Sequence, residues 1–62
     1  DSVEAWYNMG RAYQYLTDFE QARNCYNTII NNYGDSDYAD DARTYLSQIE
    51  SRMSESQTPE SE

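Results

Sequence analysis

The feature that most constrains this sequence is an ordered set of large and small residues in its first half. A tryptophan, a methionine–glycine pair and a tyrosine are followed, after a gap, by an alanine and a second tyrosine: Trp6, Met9, Gly10, Tyr13, Ala22 and Tyr26. The first four of these residues, with Val3 before them, follow helical spacing and predict one apolar helix face. Glycine costs about 1 kcal/mol relative to alanine inside a helix. A cost of this size suggests a compensating packing reason. Gly10 therefore predicts that a second helix approaches closely at this position, and we expect Ala22 of that helix to face Gly10.

The same residues resemble the tetratricopeptide repeat, a helix–turn–helix unit of about 34 residues. The family pattern reads W-x2-[L/M]-G-x2-Y and then A-x3-[F/Y], and the residues above fall at its spacing. The final proline of that pattern is absent, and Gly34 stands near its place. The resemblance implies a helical hairpin that binds proteins.

Capping signals predict where the first two helices begin and end. The first should run from about Ser2 to Tyr15, since Asp1 and Glu4 have the spacing of a capping box. The second should run from about Asp18 to Tyr33. We expect Thr17 and Glu20 to form its capping box, and Gly34 to end it in a left-handed conformation.

A third helix is expected from about Asp37 to Met53, after a turn at Asp35-Ser36-Asp37. Its apolar residues recur at steps of three and four: Ala39, Ala42, Leu46, Ile49 and Met53. In the family, one extra helix commonly closes an array, so the resemblance implies a capping helix. The expected fold class is all-α, an antiparallel helix–turn–helix with a third, capping helix, as in an α-solenoid fragment. Residues 1–53 would form this unit. Residues 54–62 are polar and acidic, which predicts a disordered tail.

Charge and composition narrow the class of partner. The chain of 62 residues has a net charge of −8 and neither lysine nor histidine. Nucleic acids and anionic membrane surfaces are bound by clustered basic residues, so neither is expected as a partner. No run approaches the roughly 18 apolar residues of a membrane span, so no membrane insertion is expected. The sequence assigns no compartment.

The resemblance also implies a binding face, because the first helix of each repeat lines a concave groove in the family. Carried over, that face would hold Glu4, Tyr7, Asn8, Arg11, Gln14 and Tyr15, joined by Asp41, Tyr45 and Gln48 of the capping helix. We expect the tyrosines to stack on a bound peptide, Asn8 to bond its backbone and Arg11 to meet a carboxylate. The alternative is a solvated helix face.

Other candidate sites are weaker. Asp35, Asp37, Asp40 and Asp41 lack the glycine and the spacing of a calcium loop, and helix capping explains the same acids. Cys25 has no histidine anywhere to activate it and too few companions to bind zinc. We therefore expect no catalytic residues, no metal and no cofactor.

Three hypotheses about function remain open. The first is a non-enzymatic protein–protein interaction module, the terminal repeat of a scaffold or adaptor. The second is a structural solenoid cap, or a unit that forms homo-oligomers through its exposed repeat edge. The third is a bacterial cell-envelope component. The string from Phe19 to Ala42 is similar to outer-membrane assembly lipoproteins and to the accessory protein of the Tol–Pal system, which often carry YP-x-S-x-x-A-x-x-A where this chain has Gly34 for the proline.

Overall fold

Three α-helices make up the part of the chain that can be described. The computed structural model describes the backbone of residues 2–57 and the side chains of residues 2–54. The helices are α1 (Ser2–Tyr15), α2 (Phe19–Asn32) and α3 (Asp37–Gln57), and no strand occurs within residues 2–57. Helix α2 packs against both neighbours, and α1 and α3 also touch each other directly. The predicted all-α fold with a third helix laid over a hairpin is confirmed.

The core lies mainly between α2 and α3. Its fully buried members are Ala22, Tyr26, Ile29, Ala39, Ala42 and Ile49. The two alanines of α3 have no bulk beyond Cβ, so the backbone of α3 can lie close to α2, as close packing of an interior requires.

Gly10 is the buried residue of α1. A Cβ atom added at Gly10 would lie 2.7 Å from Cε1 of Tyr26 and 3.0 Å from its Cζ. The predicted close approach of α2 is confirmed, because the atoms nearest to such a Cβ belong to the ring of Tyr26. The expectation that Ala22, one turn earlier on α2, faces Gly10 stays a prediction.

Met9 departs from the predicted apolar face. It is 40% exposed and does not belong to the core, whereas Val3, Trp6 and Tyr13 pack against it. Successive helical residues are separated by about 100°, so with Gly10 facing the core Met9 turns away from it. The helical spacing places Met9 on the opposite side of α1, with Ala5, Ala12 and Leu16.

The turn after α1 is built around Thr17, not around a capping box for α2. The amide of Asp18 donates to the carbonyl of Tyr13 at 2.8 Å, and that of Thr17 donates to Gln14 at 3.0 Å, which is the Schellman pattern. Thr17 supplies the left-handed residue of this motif, with a φ of 61°. The N-cap of α2 is Asp18, without a side-chain cap hydrogen bond. The predicted pairing of Thr17 with Glu20 is therefore wrong, because the hydroxyl of Thr17 donates to the carbonyl of Leu16.

Helix α2 ends without a left-handed glycine. Its C-cap is Tyr33, whose amide donates to the carbonyl of Ile29 at 2.7 Å. Gly34 does not have a positive φ, so its predicted role as a left-handed terminator is wrong. The predicted start of α3 is confirmed, since the hydroxyl of Ser36 accepts the amide of Ala39 at 3.2 Å.

Helix α3 continues beyond its predicted end at Met53 and reaches Gln57. The predicted tail therefore begins inside the helix, because extending an established helix needs no new nucleus and tolerates polar residues. Residues 58–62 of that tail lie outside the described residues, as does Asp1 of the first predicted capping box. The division into a unit at 1–53 and a tail at 54–62 stays a prediction.

Candidate functional site

Four tyrosines from all three helices form a cluster where α1 meets α3. We call Tyr7, Tyr26, Tyr38 and Tyr45 the tyrosine cluster. The ring centroid of Tyr7 lies 4.9 Å from that of Tyr38 and 6.2 Å from that of Tyr45. Tyr26 and Tyr45 are stacked, with centroids 5.7 Å apart and planes inclined by 22°. These separations suit favourable aromatic pairs, so the cluster ties α1 to α3 and includes Tyr26 from the middle of α2.

Two polar side chains of α1 are attached to this cluster. The guanidinium carbon of Arg11 lies 4.3 Å from the ring centroid of Tyr45, a cation–π contact. The hydroxyl of the fully buried Tyr26 donates to Oε1 of Gln14 at 2.9 Å, which satisfies an otherwise buried polar group. The first contact joins α1 to α3, and the second joins α1 to α2.

Burial shifts the acid–base properties of two cluster members. Desolvation raises the pKa of Tyr26 to about 12, opposed by the positive charge of Arg11. Desolvation also raises the pKa of Tyr7, and the hydrogen bond and charge interaction with Tyr45 and the charge of Asp41 add to the effect. Both hydroxyls are neutral at physiological pH, so Tyr7 and Tyr26 pack as uncharged groups.

The predicted site residues divide into an inner and an outer group. The inner group comprises Tyr7, Gln14 and Tyr45, which are partly buried, and Arg11, which is exposed but rests on Tyr45. The structure brings these four together, but in contacts between helices.

The outer group consists of exposed side chains: Glu4, Asn8 and Tyr15 of α1 and Asp41 and Gln48 of α3. Tyr15 is 91% exposed. Steps of four, three and four residues place Glu4, Asn8, Arg11 and Tyr15 on one side of α1. Large exposed aromatic surface of this kind can cover a partner at low cost in side-chain entropy.

A cavity of about 320 Å³ opens at one end of this face. Its walls come from the end of α1, the turn that follows, the start of α2 and the second half of α3; the lining residues are Arg11, Gln14, Tyr15, Thr17, Phe19, Gln48, Ile49 and Arg52. It therefore brings together predicted site residues from α1 and α3. Its volume is at the lower end of the range of small ligand sites.

Sequence reasoning missed Tyr38 in the tyrosine cluster and Arg52 in the cavity. A signal for both was present. Tyr38, Asp41, Tyr45, Gln48 and Arg52 follow steps of three, four, three and four residues, which is one stripe along a helix. Extending the predicted stripe by one residue in each direction would have found them.

The remaining candidates do not form sites in the described residues. Within them, no group of three or more His, Cys, Asp or Glu side chains is arranged to hold a metal ion. Cys25 is buried, and desolvation raises the pKa of its thiol, as expected for a packing residue. Among the described helices, none combines the length and the apolar character needed to cross a membrane.

A family model of the tetratricopeptide repeat matches residues 4–36, which include most of α1, the turn and all of α2. The chain belongs to the tetratricopeptide repeat family. Repeats of this family typically mediate protein–protein interactions and are typically not enzymes. No curated protein and no solved structure matches the chain.

Proposed function

We propose that this chain is the terminal tetratricopeptide repeat of a scaffold or adaptor, and that it binds a peptide or a partner helix on one face of α1. The binding face consists of Glu4, Tyr7, Asn8, Arg11, Gln14 and Tyr15, joined by Asp41 and Tyr45 of α3. The observation that carries the proposal is the exposure of Asn8 and Tyr15 beside a rigid cluster and a cavity.

The two groups of residues would have different tasks. Tyr7 and Tyr45 hold α1 against α3, and Gln14 holds it against α2, so the face would be ordered before a partner arrives. A preordered surface loses less side-chain entropy on binding, which improves affinity. The outer residues Asn8 and Tyr15 would make the direct contacts. The net charge of −8 favours a partner that is neutral or basic overall.

A pull-down from the source organism tests this function. Immobilised wild-type chain is compared with the Asn8→Ala/Tyr15→Ala variant, and with Gln21→Ala as a matched exposed change on α2. We expect the double variant to lose a captured protein that the wild type and the Gln21 variant retain, with equal helicity by circular dichroism. Equal capture by all three would refute the assignment of this face.

A second candidate function is a structural one, as a solenoid cap or a self-association unit. It is favoured by the side of α1 and its following turn that is turned away from the core. There Met9 is 40% and Leu16 69% exposed, beside the exposed Ala5 and Ala12. Another helix could cover this side and bury those side chains. Light scattering across concentrations separates the two functions: a dimer that the Leu16→Gln variant abolishes supports assembly, whereas a concentration-independent monomer supports an autonomous binder.

A further proposal is that this chain belongs to a bacterial cell-envelope assembly protein; the repeat alone does not identify the compartment. Cell fractionation of the source organism tests it. Recovery of the parent protein with the envelope would support it, and recovery in the cytosol alone would contradict it.

A further inference from the structure

The cavity at the end of α1 contains two of the four basic residues of a strongly acidic chain. Arg11 reaches it from α1 and Arg52 from α3, 41 positions later in the sequence. The fold therefore gathers positive charge at one concave place on an acidic molecule. Clefts that concentrate one sign of charge attract ligands of the opposite sign.

Within the described side chains, neither arginine is paired with a carboxylate. Among the side chains described, the ion pair present joins Arg43 to Asp40 at 3.3 Å, on the exposed side of α3. Arg11 and Arg52 have no carboxylate partner among these side chains. In this part of the chain, the charges of the two guanidinium groups are therefore available to a bound anion.

The contacts made by the lining residues leave several of their hydrogen-bond donors unused in the described part of the chain. Arg11 uses the face of its guanidinium group against Tyr45, and stacking leaves the in-plane N–H donors available for a carboxylate. Gln14 accepts a hydrogen bond from Tyr26 through Oε1, so its NH2 group remains a donor. Gln48 and Thr17 add neutral polar groups, and the half-buried Phe19 gives one apolar wall.

We propose that the cavity binds the side-chain carboxylate of an Asp or Glu in a peptide segment of the partner protein, with a neighbouring apolar side chain against Phe19. The inference rests on the proposed function and names the chemistry of one element of its ligand. Charge complementarity carries it, since a carboxylate accepts bidentate hydrogen bonds from an arginine. The rest of the segment should be uncharged or basic, because the acidic surface around the cavity repels further acids.

The test is a nuclear magnetic resonance titration of the full chain with two peptides blocked at both ends. The probes are acetyl-Gly-Leu-Glu-Gly-amide and the same peptide with Gln in place of Glu. In the first, the side chain is the only carboxylate. We expect saturable shifts of the Gln14, Gln48 and arginine side-chain signals with the Glu peptide, and at least about tenfold weaker binding of the Gln peptide. The loss of a charged hydrogen bond accounts for a factor of that size.

Arginine variants supply the matched comparison. Arg52→Gln should weaken binding of the Glu peptide about tenfold, whereas Arg43→Gln, with the same change in net charge, should leave the affinity within about twofold. Arg11→Gln should act like Arg52→Gln, with circular dichroism to confirm that the contact with Tyr45 is not needed for folding. Equal effects of the Arg43 and Arg52 variants would show long-range electrostatics only and would overturn the proposal.

Other outcomes identify other occupants and also overturn the proposal. Equal affinity for the Glu and Gln peptides would remove the carboxylate from the recognition. Tighter binding of the Gln peptide with a free C-terminal carboxylate than of the blocked Glu peptide would assign the cavity to a chain terminus. If removal of residues 58–62 shifts the Arg52 signal while neither peptide binds, the occupant is the chain's own acidic segment. A partner captured through Asn8 and Tyr15 but indifferent to Arg52→Gln would leave the proposed function intact and refute the cavity alone.

Discussion

Replacing Gly10 by alanine tests the packing of α1 against α2 with a single methyl group. Two effects oppose each other. Alanine favours the helix by about 1 kcal/mol relative to glycine. The new Cβ atom, however, would lie 2.7 Å from Cε1 of Tyr26 and 3.1 Å from its Cδ1, closer than carbon atoms pack. Either the tyrosine ring or the helix must therefore move.

The ring of Tyr26 has little freedom to move. It is fully buried, its hydroxyl is bonded to Gln14, and its face is stacked on Tyr45. Overpacking of a well-filled core typically costs about 1–3 kcal/mol. We expect the cost of the clash, about 2 kcal/mol, to exceed the helical gain, so that Gly10→Ala lowers the free energy of unfolding by about 1 kcal/mol. In a chain of this size that corresponds to a fall in Tm of about 4–8 °C.

Thermal melts followed by circular dichroism measure the change, and two variants calibrate it. Ala12→Gly, at an exposed position of the same helix, reports the cost of glycine without the tyrosine. In a Tyr26→Leu background the ring is gone, and Gly10→Ala should then stabilise the chain. The double-mutant cycle should give a coupling of about 2 kcal/mol between positions 10 and 26. If Gly10→Ala raises the Tm in the wild-type background, the packing argument is refuted.

Three further predictions concern stability and reactivity. Tyr26→Phe should lower the free energy of unfolding by about 0.5–1.5 kcal/mol through loss of the hydrogen bond to Gln14, measured by urea unfolding at pH 7. The pKa of Tyr26 is about 12 in the folded chain and 10.0 in the unfolded chain, so the unfolded chain loses this proton first as the pH rises. The free energy of unfolding of the wild type, relative to that of Tyr26→Phe, should therefore be constant below pH 10. Between pH 10 and pH 12 it should fall by at most about 1.4 kcal/mol per pH unit. Thr17→Gly should raise the Tm by several degrees because glycine adopts the φ of 61° without steric cost, and a lower Tm would contradict the strain argument. Cys25 should react with a thiol reagent only as fast as the fold opens, so a rate equal to that of the urea-unfolded chain would contradict its burial.

The helices could be predicted from the sequence because their signals are periodic and local. The predicted bounds of α1 agree with the structure, and the start of α3 was marked by Ser36, whose hydroxyl does bond the amide of Ala39. The end of α1 was harder. Thr17 could form either the capping box of α2 or the Schellman motif that ends α1. The structure has the Schellman motif, in which Thr17 adopts a left-handed conformation that glycine usually occupies.

The detail of the packing depends on how far side chains reach. Periodicity put Gly10 in the interface, but it could not show that the ring of Tyr26 is its nearest neighbour. In the same way, Tyr7 and Tyr45 were both assigned to the predicted binding face, but their mutual contact depends on how α1 packs against α3. Arg52 lies one step beyond the predicted stripe of α3, and its place in the cavity depends on how the segment from Arg11 to Phe19 packs against the second half of α3.

The central claim is that the α1 face carrying Asn8 and Tyr15 is where a protein partner binds. Site-specific photo-crosslinking tests it most directly, with a photoreactive phenylalanine analogue placed at Tyr15, or at the exposed positions Gln21 of α2 and Thr44 of α3. In extracts of the source organism, we expect a discrete crosslinked protein from position 15 and none from positions 21 and 44. Crosslinking from position 21 or 44 but not from position 15 would contradict the claim.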